Sequence, residues 1–235
     1  CRSRKNIYKS IMGGAEYMKS IKKYETIINE ALRSALEYDT PEGQINEFIS
    51  FFGKHIGSDR IYIFEDDEEH HVTNNTYEWC TEGITPQIEH LQGVNMEVID
   101  WWYDTFDEGK SVIISDVEEL KGVHQVSYNM LKYQNVRKVV VSPLRHKGQI
   151  KGFFGVDNPP AVDYSALTMF LDMIGTMLIS LLKIRNTFQK EQYNASMSSY
   201  SALSEIYLSM HLIDIKTGKY EQIKNAKHVE KECEE

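Results

Sequence analysis

The sequence predicts an α+β fold, a mainly antiparallel sheet with helices at both of its ends and in its crossovers. Three observations carry this expectation. Apolar residues recur in steps of three and four near both ends of the 235-residue chain, which is the period of a helix with one buried stripe. Between Arg60 and Asp157 the pattern changes to short apolar runs bounded by Gly, Pro and Asn, as strands require. The order is helix, helix, strand, strand, helix, strand, helix, strand, strand, helix, which segregates helices from paired strands.

The elements follow in order. Ile21, Tyr24, Ile28, Ala31, Ala35 and Tyr38 form an a/d stripe of about two and a half heptads. Residues 5–38 read as this helix, with Gly13 and Gly14 interrupting its early part before about Glu16. Thr40 suits an N-cap and Pro41 the first helical position. The helix they open carries Ile45, Phe48, Ile49, Phe52 and Ile56 on one face, with Gly57 as C-cap. Arg60 to Phe64 is a strand apolar on both faces, as for a central strand covered on both sides. The acidic run Asp66 to Glu69 is a turn, and Val72 to Cys80 returns as the second strand of a hairpin. Residues 84–95 read as loop. Met96 to Glu108 is a short helix bearing Trp101, Trp102 and Phe106, and Ser111 to Ser115 is a third strand. A loop and a short helix fill 117–135. Lys138–Leu144 and Gln149–Asp157 are the last strands, joined at His146-Lys147-Gly148, and Asn158-Pro159-Pro160 ends the sheet.

The final helix is expected from about Asp163 to Ala195. Leu167, Phe170, Ile174, Met177, Leu181, Ile184 and Phe188 form an unbroken ladder, and Leu171, Leu178 and Leu182 a second stripe. One stripe suits the domain's own sheet and the other a partner helix. At ~1.5 Å per residue the helix is roughly 50 Å long, more than a domain of this size needs, so a connecting and dimer-forming role is expected for the ladder. Beyond it, Ile206–Ile215 reads as a strand, Lys216 to Lys219 as a hairpin turn, and Tyr220–Ile223 as the start of a second strand.

Composition narrows the class. Hydrophobic residues make up 41% and charged residues 26%, an ordinary globular balance. The apolar stretch Ala166–Leu182 is broken by Thr168, Asp172, Gly175, Thr176 and Ser180, which argues against a membrane span. The net charge of −9 and scattered basic residues argue against nucleic acid as a partner. The three cysteines, Cys1, Cys80 and Cys233, lie far apart, so no disulfide framework is expected and a reducing cytoplasm is the simplest location. The chain starts at Cys1 without an apolar leader, and is read as a segment of a longer protein.

Four pieces of sequence carry a resemblance. They are Gly57-Ser-Asp-Arg-Ile-Tyr-Ile-Phe64, Tyr77-Glu-Trp-Cys-Thr-Glu-Gly83, Ser111-Val-Ile-Ile-Ser-Asp-Val117, and the closing stretch from Val139 through Gly148 to Asp157. By their order and spacing, the segment from about Pro41 to Pro160 resembles a GAF domain. The tail at 200–223 is similar to the opening of a PAS-like domain. Together they look like the sensor part of a bacterial multidomain signalling protein of the GAF/PAS–GGDEF, or diguanylate cyclase, type. The resemblance implies a PAS-related antiparallel sheet with long signalling helices. It divides the chain into a linker helix (1–40), a GAF-like domain (41–160), a coiled-coil helix (161–196) and the start of a PAS-like domain (197–235). It also implies a non-catalytic sensory and dimerisation module acting on a downstream output domain.

GAF domains that bind ligands use the sheet face opposite the terminal helices. The residues expected to line such a site are Tyr62, Phe64, Tyr77 and Trp79 on strands, and Trp101, Trp102 and Phe106 on the first crossover helix. Aromatic walls with few polar groups suit a planar organic ligand. The plainer alternative is that these rings fill the space themselves, leaving an interaction domain without ligand. No particular cofactor is implied. Cys80 could anchor a chromophore or act as a thiol nucleophile, yet it has no neighbouring His or Cys to activate it, and buried packing is the simpler expectation. His70 and His71 sit in the acidic turn, and adjacent residues point to opposite faces of a strand, so no metal is expected there. The Asn-Lys-Phe-Asp-Glu pattern of cyclic-nucleotide-binding GAF domains does not occur, and Gly152 and Gly155 lie within a strand, where glycine marks close packing rather than a phosphate loop.

Overall fold

The computed structural model describes the chain except for residues 1, 161–163, 205–209, 214–219 and 225–235, and describes side chains over 17–160, 164 and 166–197. Two compact units divide between Leu182 and Lys183.

The first unit opens with α1 (Arg2–Ala35), which runs unbroken through Gly13 and Gly14. The helix expected over residues 5–38 thus begins a few residues earlier and ends at Ala35. Glycine in a helix interior costs about 1 kcal/mol each, and here the surrounding residues carry the helix across the pair. Next comes α2 (Pro41–Ile56). The Thr40 side chain accepts a hydrogen bond from the Gly43 amide at 3.1 Å, and Gly57 closes the helix with φ +78°. Both caps act where the sequence places them.

The sheet consists of β1 (Arg60–Asp67), β2 (Val72–Cys80), β3 (Val94–Asn95), β4 (Val112–Ile114), β5 (Val139–His146) and β6 (Gln149–Asp157). Their order is β3-β2-β1-β6-β5-β4, with every neighbouring pair antiparallel. β1 and β6 are central, which explains why β1 is apolar on both faces. The crossover from β3 to β4 contains a 3₁₀ turn (Met96–Ile99) and α3 (Asp100–Asp107). That from β4 to β5 contains a second 3₁₀ turn (Val117–Leu120) and α4 (Gln125–Tyr133).

Each face of the sheet has its own core. On one, α1, α2 and α5 (Tyr164–Ser204) pack Tyr24, Ile28, Ala31, Phe48, Phe52, Leu167, Leu171 and Ile174 against Ile61, Ile63, Phe154 and Val156. The C-terminal half of α1 is therefore part of this core. On the other face, α3, α4 and the 3₁₀ turns bring Ile99, Trp102, Phe106, Val117 and Leu131 onto Tyr62, Phe64, Val139, Val141 and Phe153. The result is a helix layer, a sheet and a thinner roof of crossovers.

The α5 ladder divides. Leu167, Phe170 and Ile174 are buried with Leu171, Leu178 and Leu182 in the chain's own core, and Met177 and Leu181 pack at its margin. Leu167, Phe170 and Ile174 are therefore occupied within the chain itself. Ile184 and Phe188 are exposed, at 56% and 39%. By length and composition Ala166–Met197 is apolar enough to cross a membrane, contrary to the expectation from its polar interruptions. Burial of these side chains against the sheet is what a core helix requires.

In the second unit, β7 (Met210–Ile213) and β8 (Tyr220–Lys224) pair antiparallel. The hairpin turn expected at 216–219 lies outside the described residues.

Candidate functional site

The roofed face of the sheet holds a partly enclosed cavity. Three residues expected to bind ligand, Tyr62, Phe64 and Trp102, line it together with Arg60, Asn75, Glu78, Leu91, Val94, Ile99, Met130, Leu131, Gln134, Phe153 and Asp157. The other four do not. Tyr77 is buried in the core on the helical face, and Trp79 packs at the margin of that core. Phe106 is buried in the roof core without reaching the cavity. Trp101 stacks on His124 with centroids 4.3 Å apart and donates its indole N–H to Ser127 Oγ at 3.1 Å.

The division between strand aromatics has a local cause. β2 pairs Ile63 with Tyr77 but Phe64 with Asn75, so Thr76 is an extra residue, a β-bulge. Tyr62 and Phe64 share the cavity face, while the bulge sets Asn75 toward the cavity and leaves Tyr77 and Trp79 opposite Ile63 and Ile61 on the helical face. The Asn75 amide then fits best turned so that its nitrogen donates to the Ile63 and Tyr77 carbonyls, at 3.2 and 2.9 Å. Gly155 lies across from Tyr62 on β6. A Cβ there would come within 2.1 Å of the Tyr62 ring, so the ring lies flat on the strand only because the residue is glycine.

The floor of the cavity is charged, which the aromatic pattern did not suggest. Arg60 is 3% exposed. Its Nη1 donates to Asp157 Oδ2 at 2.9 Å and to Gln134 Oε1 at 3.1 Å, and its Nη2 donates to the Thr85 carbonyl at 3.1 Å. Its Nε stands 3.2 Å from Glu78 Oε1 without the alignment of a hydrogen bond. Glu78 Oε2 accepts the backbone amides of Gln87 and Ile88 at 2.7 and 3.1 Å. One carboxylate thus faces the guanidinium and also ties down the loop that carries Leu91 over the cavity.

Burial shifts the titration of this cluster. It drives the Asp157 carboxyl up to about 7, although Arg60 and the Tyr62 hydroxyl favour its charged form. Burial also opposes the charge on Arg60, but Asp157, the Cys80 thiol and Glu78 outweigh it and keep the guanidinium charged. The Cys80 thiol is raised by burial and by Glu78, with Arg60 acting against them. It is therefore not an activated thiolate. His70 pairs with Asp67 at 2.8 Å in an exposed turn. Among the described residues, no group of three or more His, Cys, Asp and Glu side chains could hold a metal ion.

The cavity offers about 40 Å³ to the centres of water-sized molecules. That is room for roughly three waters at ~10–15 Å³ each, and far below the roughly 300–1,000 Å³ of sites for drug-sized ligands. Rings occupy much of the space between the expected aromatic walls: Trp102 and Phe153 meet edge to face at 5.5 Å, and Phe64 and Phe153 stack at 4.6 Å. Most of the face is self-filled, and what remains open is small and polar at its base.

Sheet order, helix layer and roofed face define a GAF-like fold, and solved structures agree. The phycocyanobilin-bound GAF domain of a cyanobacterial phytochrome superposes with a TM-score of 0.55 at 16% identity, over 71% of this chain and 96% of that one. The GAF domain of an Acinetobacter phosphoenolpyruvate-protein phosphotransferase gives 0.52 at 10% identity, over 71% and 97%. Free methionine-R-sulfoxide reductase from Neisseria meningitidis, in complex with its substrate, gives 0.53 at 11% identity, over 71% and 92%. No family model matches the sequence, and no curated protein matches it.

Proposed function

We propose that this chain is a non-catalytic sensory module that binds a small polar molecule on the roofed face of its sheet and passes the change to its terminal helices. One observation carries the reading. Among the described residues, the buried side-chain polar atoms without a hydrogen bond are Arg60 Nε, Trp102 Nε1 and Asp157 Oδ1, and all three residues line the same cavity. Buried polar groups are ordinarily satisfied, and leaving one unpaired costs roughly 1–3 kcal/mol. Such a cluster in one cavity fits a site that a ligand completes. The GAF-like neighbours include proteins whose structures hold a bilin or a substrate, which supports binding in this type of fold.

The proposed route outward runs through the sheet. Arg60 and Asp157 pair across β1 and β6, and the opposite faces of those strands pack Ile61, Ile63, Phe154 and Val156 against the helical core. In this reading a shift in strand packing at the cavity reaches α1, α2 and α5 through that core. The proposed output is a following catalytic domain, of diguanylate cyclase type by the sequence resemblance, reached through a PAS-like segment after α5. Pairing of two chains is proposed through the exposed Ile184 and Phe188 rather than through the whole ladder.

The test is a thermal-shift screen of small polar metabolites against the wild type and Asp157→Leu. Stabilisation of the wild type alone is the expected result. If no compound stabilises it, and a crystal structure shows three bridging waters at the cavity floor, the sensory reading fails in favour of an interaction domain without ligand. A thiol enzyme at Cys80 is disfavoured by the raised thiol.

A further inference from the structure

The three unpaired atoms specify more than polarity. Trp102 Nε1 is a donor with no acceptor, Arg60 Nε a donor without an aligned hydrogen bond although Glu78 Oε1 stands 3.2 Å away, and Asp157 Oδ1, in its ionised state, an acceptor with no hydrogen bond. Each belongs to a residue no more than 3% exposed, and each residue lines the one cavity. A ligand that completes this set presents an oxygen with two lone pairs and, close to it, one N–H. Three functional groups of this size can be weighed against the set. An ammonium ion satisfies the carboxylate but leaves both donors unpaired. A carboxylate satisfies both donors but faces Asp157 Oδ1 with like charge, unless Asp157 takes up a proton. A carboxamide satisfies all three, its carbonyl oxygen taking two donors and its nitrogen giving one hydrogen.

Charge and size point the same way. Arg60, Glu78 and ionised Asp157 sum to one net negative charge in a buried cluster. A neutral ligand adds no further charge to be desolvated. The free space of about 40 Å³ encloses a group of roughly three to four heavy atoms, taking each as about the size of a water molecule. Tyr62, Phe64, Leu91, Val94 and Ile99 present apolar surface around it, which suits a methyl or methylene substituent. We propose that the cavity recognises a small neutral carboxamide or urea-like group, its carbonyl oxygen held by Trp102 Nε1 and Arg60 Nε and its N–H given to Asp157 Oδ1.

This inference rests on the sensory reading of the same cavity, and the test separates the two. The probe is acetamide, titrated into the full chain at about pH 8, where Asp157 is ionised, with acetate and methylammonium as controls. The readout is the indole N–H resonance of Trp102, assigned by its loss in Trp102→Phe. At a ceiling of about −1.5 kcal/mol per heavy atom, four atoms bind no tighter than tens of micromolar, so saturation in the millimolar range is expected for acetamide. Neither control should saturate. Trp102→Phe, followed by the heat of binding, should weaken acetamide by roughly tenfold, as for one lost hydrogen bond. A wild-type crystal soaked in acetamide should place the carbonyl oxygen near Trp102 Nε1 and Arg60 Nε, and this measurement stands even if the variant does not fold. Saturation by acetate or methylammonium in place of acetamide overturns the carboxamide class while leaving a ligand-binding sensor. Ordered water in the soaked crystal, with no saturable probe, overturns both.

Discussion

Replacing Asp157 by asparagine tests the physical account of the cavity floor most directly. Burial holds the Asp157 carboxyl at about 7, against an ordinary value of 3.8. Between those two values the folded chain keeps a proton that the unfolded chain has already released. Stability from this group is therefore full below about pH 3.8, falls as pH rises toward 7, and is level above it. A gap of about three units at ~1.36 kcal/mol each gives a loss on the order of 4 kcal/mol. Asparagine has nearly the same size, can still accept from Arg60, and carries no charge at any pH. Asp157→Asn should thus gain stability relative to the wild type as pH rises from about 4 to 8, by a few kcal/mol. Urea unfolding followed by tryptophan fluorescence at several pH values measures both chains, and their difference cancels the other titrating groups. If that difference does not change with pH, Asp157 titrates as an ordinary exposed carboxylate, and the argument from burial fails.

Three further outcomes are expected. Gly155→Ala brings a Cβ to 2.1 Å from the Tyr62 ring, so it should cost about 1–3 kcal/mol by overpacking, read as a lowered urea midpoint; an unchanged midpoint means the ring does not lie on the strand. Ile174→Asp should abolish folding, because that side chain is 2% exposed in the core, whereas Ile184→Asp with Phe188→Asp should leave the fold intact and, by analytical ultracentrifugation, weaken self-association; an unaltered sedimentation profile removes the proposed helix contact. Cys80, half-buried with its thiol raised by burial, should react with iodoacetamide at neutral pH more slowly than a free cysteine peptide, and fast labelling would reopen a thiol-based activity.

Much of the fold was legible in the sequence because it is written locally. Thr40, Pro41 and Gly57 cap α2 through contacts with near neighbours, and the switch from a helical to a strand-like pattern at Arg60 marks the sheet. The boundaries of β6 also follow from sequence, since Gly148 turns the chain before it and Asn158-Pro159 stops it. Gly13 and Gly14 do not break α1, because their cost is small beside the helix that flanks them on both sides. For α5, periodicity showed an apolar ladder but not its partner: the same spacing serves a sheet and a second helix, and only packing showed Leu167, Phe170 and Ile174 in the chain's own core.

The site divides along the same line. That aromatic side chains would crowd one face of the sheet could be argued from Tyr62, Phe64 and the tryptophans of the crossover helix. A single signal hinted at the charged floor: Arg60 opens one apolar strand and Asp157 ends another. What no local pattern could supply was their meeting, at 2.9 Å across 97 positions, or the arrival of Gln134 from 74 positions away. Nor could it place Thr76 as the bulge that separates Asn75 from Tyr77. Local periodicity records which faces avoid water, and those faces can be read from the chain directly. The register of antiparallel strands, and hence which polar groups close on one another, is set by contacts between distant segments, and it becomes visible only once the chain is folded.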